Sequence, residues 1–182
     1  AFLLFAVQPL LGKFILPWFG GSPGVWTTCL LFFQALLLGG YLYAHLTSSR
    51  LSLRRQALLH LVLIAAALAC LPVTPDLRWR PEGAENPIPR ILLLLGASVG
   101  LPYLVLSSTG PLIQRWFSHA HPGRSPYRLY SLSNVGSLLA LLGYPFLFER
   151  FFSRQELAHY WSAGLVIYAA GAGWCVWRIW RV

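Results

Sequence analysis

Residues 25–46 read VWTTCLLFFQALLLGGYLYAHL, twenty-two positions without a single Lys, Arg, Asp or Glu. A bilayer core about 30 Å thick is crossed by roughly 20 apolar residues in a helix, so this stretch is long enough to span one. The same ruler, laid outward along the chain, finds five further apolar runs. The spans are then about 2–18, 25–46, 56–71, 88–114, 127–148 and 157–180. The third is the shortest and carries His60 near its start. Of the 182 residues, 57% are hydrophobic and 10% charged, whereas a soluble domain carries about 25% charged residues to coat its surface. The expected fold is an all-α integral membrane protein, a bundle of six transmembrane helices forming a single domain over residues 1–182. The sequence opens at Ala1 inside an apolar run, without the pattern of a cleavable signal peptide. The first helix is therefore expected to begin upstream.

The net charge of +9 would point to a nucleic-acid partner in a soluble protein. Where the charges fall gives them another reason, because Lys and Arg concentrate in the cytoplasmic loops of membrane proteins. Taking alternate loops, one side receives Arg50, Arg54, Arg55, Arg115, Arg124, Arg128, Arg178 and Arg181 and no acid. The other receives Arg78, Arg80, Arg90, Arg150 and Arg154 together with every acid in the chain: Asp76, Glu82, Glu85, Glu149 and Glu156. Both termini are thus expected on the cytoplasmic side, with the basic loops facing anionic lipid and no nucleic acid involved. The extracytoplasmic loop 72–87 holds Pro72, Pro75, Pro81, Pro87 and Trp79. It is expected to form an ordered cap at the interface.

Polar groups inside the spans are the candidates for function, since they are costly in lipid. Lys13 lies in the first span, with Gln8 and Gly12 spaced i, i+4 beside it. It either lines a site or snorkels to the outer headgroups. The fourth span carries Gly96, Gly100 and Pro102, then Ser107-Ser108-Thr109-Gly110-Pro111 before Gln114. A kinked or broken helix is expected there, with hydroxyls satisfying carbonyls freed by proline and the two glycines marking close helix packing. The fifth span gathers Tyr130, Ser133, Asn134 and Ser137 on one face, which in lipid should turn inward. Gln34 and His60 could join the same interior. The candidate polar lining is Lys13, Gln8, Gln34, Ser107, Ser108, Thr109, Gln114, Asn134 and Ser137.

Several chemistries find no support. Cys29, Cys70 and Cys175 have no CxxC spacing and read as small buried hydrophobes. His119 and His121 flank Ala120 without a nearby third or fourth ligand, so no metal is expected. The eight Trp residues fall mostly near span ends and read as interfacial anchors. No carboxylate pair, nucleophile triad or dinucleotide-binding glycine pattern is present, so neither catalysis nor a cofactor is expected of this stretch.

The run Phe5-Ala6-Val7-Gln8-Pro9-Leu10-Leu11-Gly12-Lys13, with Leu16-Pro17-Trp18-Phe19-Gly20-Gly21-Ser22-Pro23, Val25-Trp26 and Gly40-Tyr41-Leu42-Tyr43-Ala44-His45, resembles the N-terminal membrane region of bacterial fused major-facilitator/spermidine-synthase-like proteins. So do Leu106-Ser107-Ser108-Thr109-Gly110-Pro111, Gln114-Arg115-Trp116, Pro126-Tyr127-Arg128-Leu129-Tyr130 and Ser133-Asn134-Val135-Gly136-Ser137. The resemblance implies half of a major-facilitator fold in the bacterial inner membrane, followed in that family by a cytoplasmic aminopropyltransferase-like domain with a Gly-rich loop and acidic substrate-binding residues. Those residues are absent from this sequence, which looks like the membrane part alone. The segment from Tyr41 to Gln56, with Arg50, Arg54 and Arg55, resembles the basic loop between the second and third helices of major-facilitator transporters but lacks that motif's Asp.

The functional expectation is a non-catalytic multi-pass subunit, an accessory or scaffold of a larger membrane complex, with the lipid bilayer and other subunits or a second copy as partners. Two alternatives stand beside it: a transporter-like half bundle binding a small molecule, and the membrane anchor of a spermidine-synthase-like enzyme domain.

Overall fold

The computed structural model describes residues 1–81 and 86–181, the side chains of Ile179 and Arg181 excepted. Glu82 and Glu85, which enter the charge balance above, lie outside the described residues. Among the described residues there are six long helices and no strand: α1 Phe2–Phe19, α2 Pro23–Arg50, α3 Leu53–Ala69, α4 Pro87–Ala120, α5 Tyr127–Phe151 and α6 Arg154–Arg181. Helices α1, α2, α4 and α5 are long and apolar enough to cross a membrane. At about 1.5 Å per residue the 17 residues of α3 reach about 26 Å, short of a bilayer core of about 30 Å.

The starts of these helices follow from local chemistry. Ser22 accepts the Val25 N–H at 3.4 Å and Pro23 fills the first position of α2, where a missing N–H costs nothing. Asn86 accepts the Ile88 N–H at 3.1 Å ahead of Pro87 at the head of α4. Gly20, at φ +81°, turns the chain out of α1 in a conformation that an L side chain resists. Turns of two or three residues join α1 to α2, α2 to α3 and α5 to α6.

Helix α4 is central, packing against α2 and α3 and touching α1 and α5; α1 also lies on α5 and α6, and α3 on α6. Where helices meet in a bilayer, van der Waals fit rather than escape from water holds them together, because lipid tails are as apolar as leucine. The closest fit is α2 on α4. A Cβ at Gly40 would lie 2.9 Å from Ser107 Cβ and 3.0 Å from the Ser108 backbone nitrogen, so only glycine lets the two backbones meet. The GxxxG pair of α4 does not play this part: nothing stands within 4 Å of a Cβ at Gly96, and at Gly100 the nearest atom is Leu95 O, on its own helix. Close approach here is made by the glycine on the partner helix.

Prolines shape α4 and α5 without breaking them. Gly96–Gly100 forms a π turn just ahead of Pro102, and Tyr144–Phe148 forms another around Pro145, in which the Glu149 N–H reaches back five residues to the Tyr144 carbonyl. The expected kink in the fourth span is thus a widened turn in a continuous helix, which runs past Gln114 to Ala120 because Trp116 is buried against α3. The hydroxyls of α4 bond within the turns between its prolines rather than to the carbonyls that the prolines free: Ser107 to Leu104 O at 2.9 Å, Ser108 to Val105 O at 2.9 Å and Thr109 to Val105 O at 2.7 Å.

The proline-rich loop is ordered over its described part. Val73 is buried in the core with Leu71 and Trp79 packed beside it, and Asp76 caps a short 3-10 turn at Leu77–Trp79. Two tryptophans depart from the anchoring role. Trp116 and Trp161 are buried, their indole N–H groups bonded to Gln56 Oε1 at 3.2 Å and to Leu3 O at 2.8 Å. Cys29 is buried, whereas Cys70 and Cys175 are half-buried; all three are free.

Candidate functional site

A half-open cavity of about 420 Å³ lies between α1, α2 and α5. From α1 it takes Phe5, Gln8, Pro9, Gly12, Lys13 and Leu16, spaced so that one stripe of the helix faces it. Helix α2 adds Trp26, Cys29, Leu30 and Phe33, and α5 adds Leu141, Tyr144, Pro145 and Glu149. Lys13 Nζ meets Glu149 Oε1 at 3.0 Å and lies 5.9 Å from the centroid of the Tyr144 ring. The π turn explains how a carboxylate arrives there. In a regular helix, positions five apart point about 140° away from each other at 3.6 residues per turn. The five-residue hydrogen bond instead stacks Glu149 over Tyr144, and both line the cavity.

This arrangement adds to the expected lining. Glu149 falls just past the expected end of the fifth span, among the loop acids, yet the helix continues through it to Phe151. The cavity is therefore neutral, one cation against one carboxylate. Deeper along α1, the Gln8 side-chain amide donates to Tyr103 Oη at 3.2 Å.

The remaining polar residues are distributed elsewhere. Ser107, Ser108 and Thr109 belong to the α2–α4–α6 interior. Ser107 Oγ reaches Leu36 O at 3.4 Å on α2, and Thr109 Oγ1 lies 2.6 Å from Tyr168 Oη on α6. His60 Nε2 lies 3.3 Å from the same Tyr168 hydroxyl and 3.5 Å from Thr109 Oγ1. With Tyr43 stacked on the imidazole and Trp116 edge-on to it, this is a second polar cluster shared by four helices, in which His60 and Trp116 are buried and Tyr43, Thr109 and Tyr168 half-buried. The sequence singled out its Thr109 and His60 but not its Tyr43 and Tyr168, which look like ordinary span aromatics. Gln114 is half-buried near the end of α4.

The polar face of α5 does not turn inward within the chain. Tyr130 and Asn134 are exposed, and Ser133 and Ser137 are half-buried, with Ser137 Oγ returned to the Ser133 carbonyl at 3.1 Å. Gln34 on α2 is exposed as well. Neither lines the cavity, although Gln34 follows the lining residue Leu30 by one turn of α2 and Asn134 precedes Leu141 by two turns of α5. Among the described residues no group of three or more His, Cys, Asp or Glu side chains could hold a metal.

No protein-family model matches the chain, and neither a curated protein nor a solved structure matches it. Among the described residues the fold is all-helical, with four helices long and apolar enough to cross a membrane.

Proposed function

We propose that this chain is a non-catalytic multi-pass membrane subunit that works by assembling with other membrane helices across its α2–α5 face. In this reading six helices cross the cytoplasmic membrane, α3 and α6 included, and both ends of the chain face the cytoplasm, as the uneven distribution of Arg supports. One observation carries the proposal. Gln34 and Asn134 stand exposed within apolar, span-length helices, where an amide facing hydrocarbon forgoes its hydrogen bonds at a cost of several kcal/mol on a scale of about 4–8 for transfer to cyclohexane. Another chain's helices remove that cost by supplying polar partners.

The test is extraction from the native membrane in mild detergent, followed by mass spectrometry of whatever co-purifies at fixed stoichiometry. A defined complex that is lost in Gln34→Leu/Asn134→Leu supports the proposal. A monomer, with or without the substitutions, overturns it.

A second reading rests on the cavity itself: a transporter-like half bundle that binds a small molecule at Lys13 and Glu149. It is favoured if the monomer result is obtained and Lys13→Met abolishes ligand binding while leaving thermal stability unchanged.

A further inference from the structure

The polarity of the α1–α2–α5 cavity changes along its length. Lys13, Tyr144 and Glu149 gather toward one end, while Phe5, Leu30, Phe33 and Leu141 make the rest mostly apolar, with the Gln8 amide there engaged by the Tyr103 hydroxyl. Phe5 and Lys13 are eight residues apart, about 12 Å along the helix, so the charged end and the apolar depth are separate places. The charges belong at a headgroup: Glu149 lies two residues from the end of α5, and Lys13 six from the end of α1.

The charged end is accessible. The Lys13 and Glu149 side chains retain 27% and 48% of their exposure, so an arriving group can reach both. Charge selects what that group is. A simple anion attracted to Lys13 meets Glu149 only 3.0 Å away, and a simple cation attracted to Glu149 meets Lys13. A group carrying both signs can instead separate the pair and satisfy each member with its opposite. The Tyr144 hydroxyl, buried and without a hydrogen-bond partner, supplies a further donor in the same wall. The volume of about 420 Å³ falls within the range of about 300–1,000 Å³ typical of ligand pockets. Its half-open, apolar lower wall suits a hydrocarbon chain.

We propose that the cavity binds a zwitterionic amphiphile: a lipid whose headgroup phosphate engages Lys13, whose ammonium engages Glu149, and whose acyl chain lies along Leu30, Phe33 and Leu141. This goes beyond the assembly reading: every group named belongs to one chain, and only the choice of leaflet rests on the topology of that reading. With the Arg-rich loops cytoplasmic, the headgroup sits in the outer leaflet.

The experiment is native mass spectrometry of the purified, delipidated full chain titrated with dioleoyl phosphatidylethanolamine, with dioleoyl phosphatidylglycerol of identical tails, and with free phosphoethanolamine. Phosphatidylethanolamine is expected to be retained at one per chain with a preference of about fivefold over phosphatidylglycerol, the ratio for a partly exposed charge pair worth about 1 kcal/mol. Glu149→Gln should erase that preference by admitting phosphatidylglycerol, and Lys13→Met should weaken both lipids. The exchanged pair Lys13→Glu/Glu149→Lys keeps a neutral site and should restore the preference, which separates loss of binding from loss of folding. Equal retention of the two lipids by the wild-type chain overturns the proposal without recourse to any variant. So does tight binding of free phosphoethanolamine with no lipid retained, which would make the site one for a soluble zwitterion.

Discussion

Helices α4 and α5 carry the same kind of sequence, apolar runs interrupted by serine, glycine and proline, and they end in opposite surroundings. In the most apolar window of α4, 61% of the residues are buried; in that of α5, 11% are. Ser107, Ser108 and Thr109 of α4 are enclosed or half-enclosed by α2, α3 and α6, and each finds an acceptor. Tyr130 and Asn134 of α5 face outward. Polar residues at membrane depth therefore need cover, and this chain provides it for one helix but not for the other. In the proposed assembly the unmet need of α5 is what a partner would cover, while the met need of α4 goes with its central place in the fold.

The comparison breaks most severely at Gly40. Gly40→Leu drives a side chain into Ser107 and the Ser108 backbone, and overpacking of this kind costs about 1–3 kcal/mol, occasionally more. Because backbone is the obstacle, the upper end is expected, read as a large fall in the melting temperature of the purified protein. A smaller loss comes from Thr109→Val, which leaves the Tyr168 hydroxyl and His60 Nε2 without their threonine partner. Interhelical hydrogen bonds in membranes average about 0.6 kcal/mol and reach about 1.7. A Thr109→Val/Tyr168→Phe cycle should yield a coupling in that range. An additive cycle would show that the cluster is packing alone. On α5, Asn134→Leu should leave the isolated chain as stable as before within about 0.5 kcal/mol, the usual limit for surface changes, while weakening assembly. A comparable loss of stability at Asn134 and at Thr109 would erase the contrast between the two helices.

The helices were legible in the sequence because hydropathy over 17 to 34 residues is a strong signal that tertiary contacts rarely reverse. Every expected span contains a helix, although α3 and α6 fall outside the four long and apolar enough to cross. The site was less legible, for two physical reasons. Hydroxyls in a helix can bond their own backbone, so the serines of α4 signal a polar residue in lipid without saying whether it lines a cavity or a packed seam. Glu149 is invisible to helical periodicity because the π turn around Pro145 shifts the register by one residue. The glycines mislead similarly. Spacing alone favours Gly96 and Gly100, but what matters is whether another backbone arrives, and it arrives at Gly40.

The smallest effect tests how α5 is tied to the rest of the bundle. At its far end the chain turns through Phe152 and Ser153 into α6, where the Ser153 N–H donates to Glu156 Oε2 at 2.8 Å and the Glu156 N–H donates to Ser153 Oγ at 3.3 Å. This reciprocal cap satisfies two backbone donors at the start of the helix. The backbone and hydroxyl of Ser153 hold the Glu156 carboxyl below its ordinary value. A carboxyl lowered in the folded state stabilises at pH above its unfolded value, roughly 4.3, and that contribution is lost as pH falls through the lowered value. Glu156→Gln should therefore be slightly less stable than the wild type at neutral pH, with the difference shrinking toward zero below about pH 4. Since α6 reaches α1 through Trp161 and α1 carries α5, a weakened cap should loosen α5 before α4, visible as faster hydrogen exchange over Tyr144–Phe151. Equal acceleration in both helices would mean that the cap supports the bundle as a whole rather than its uncovered edge.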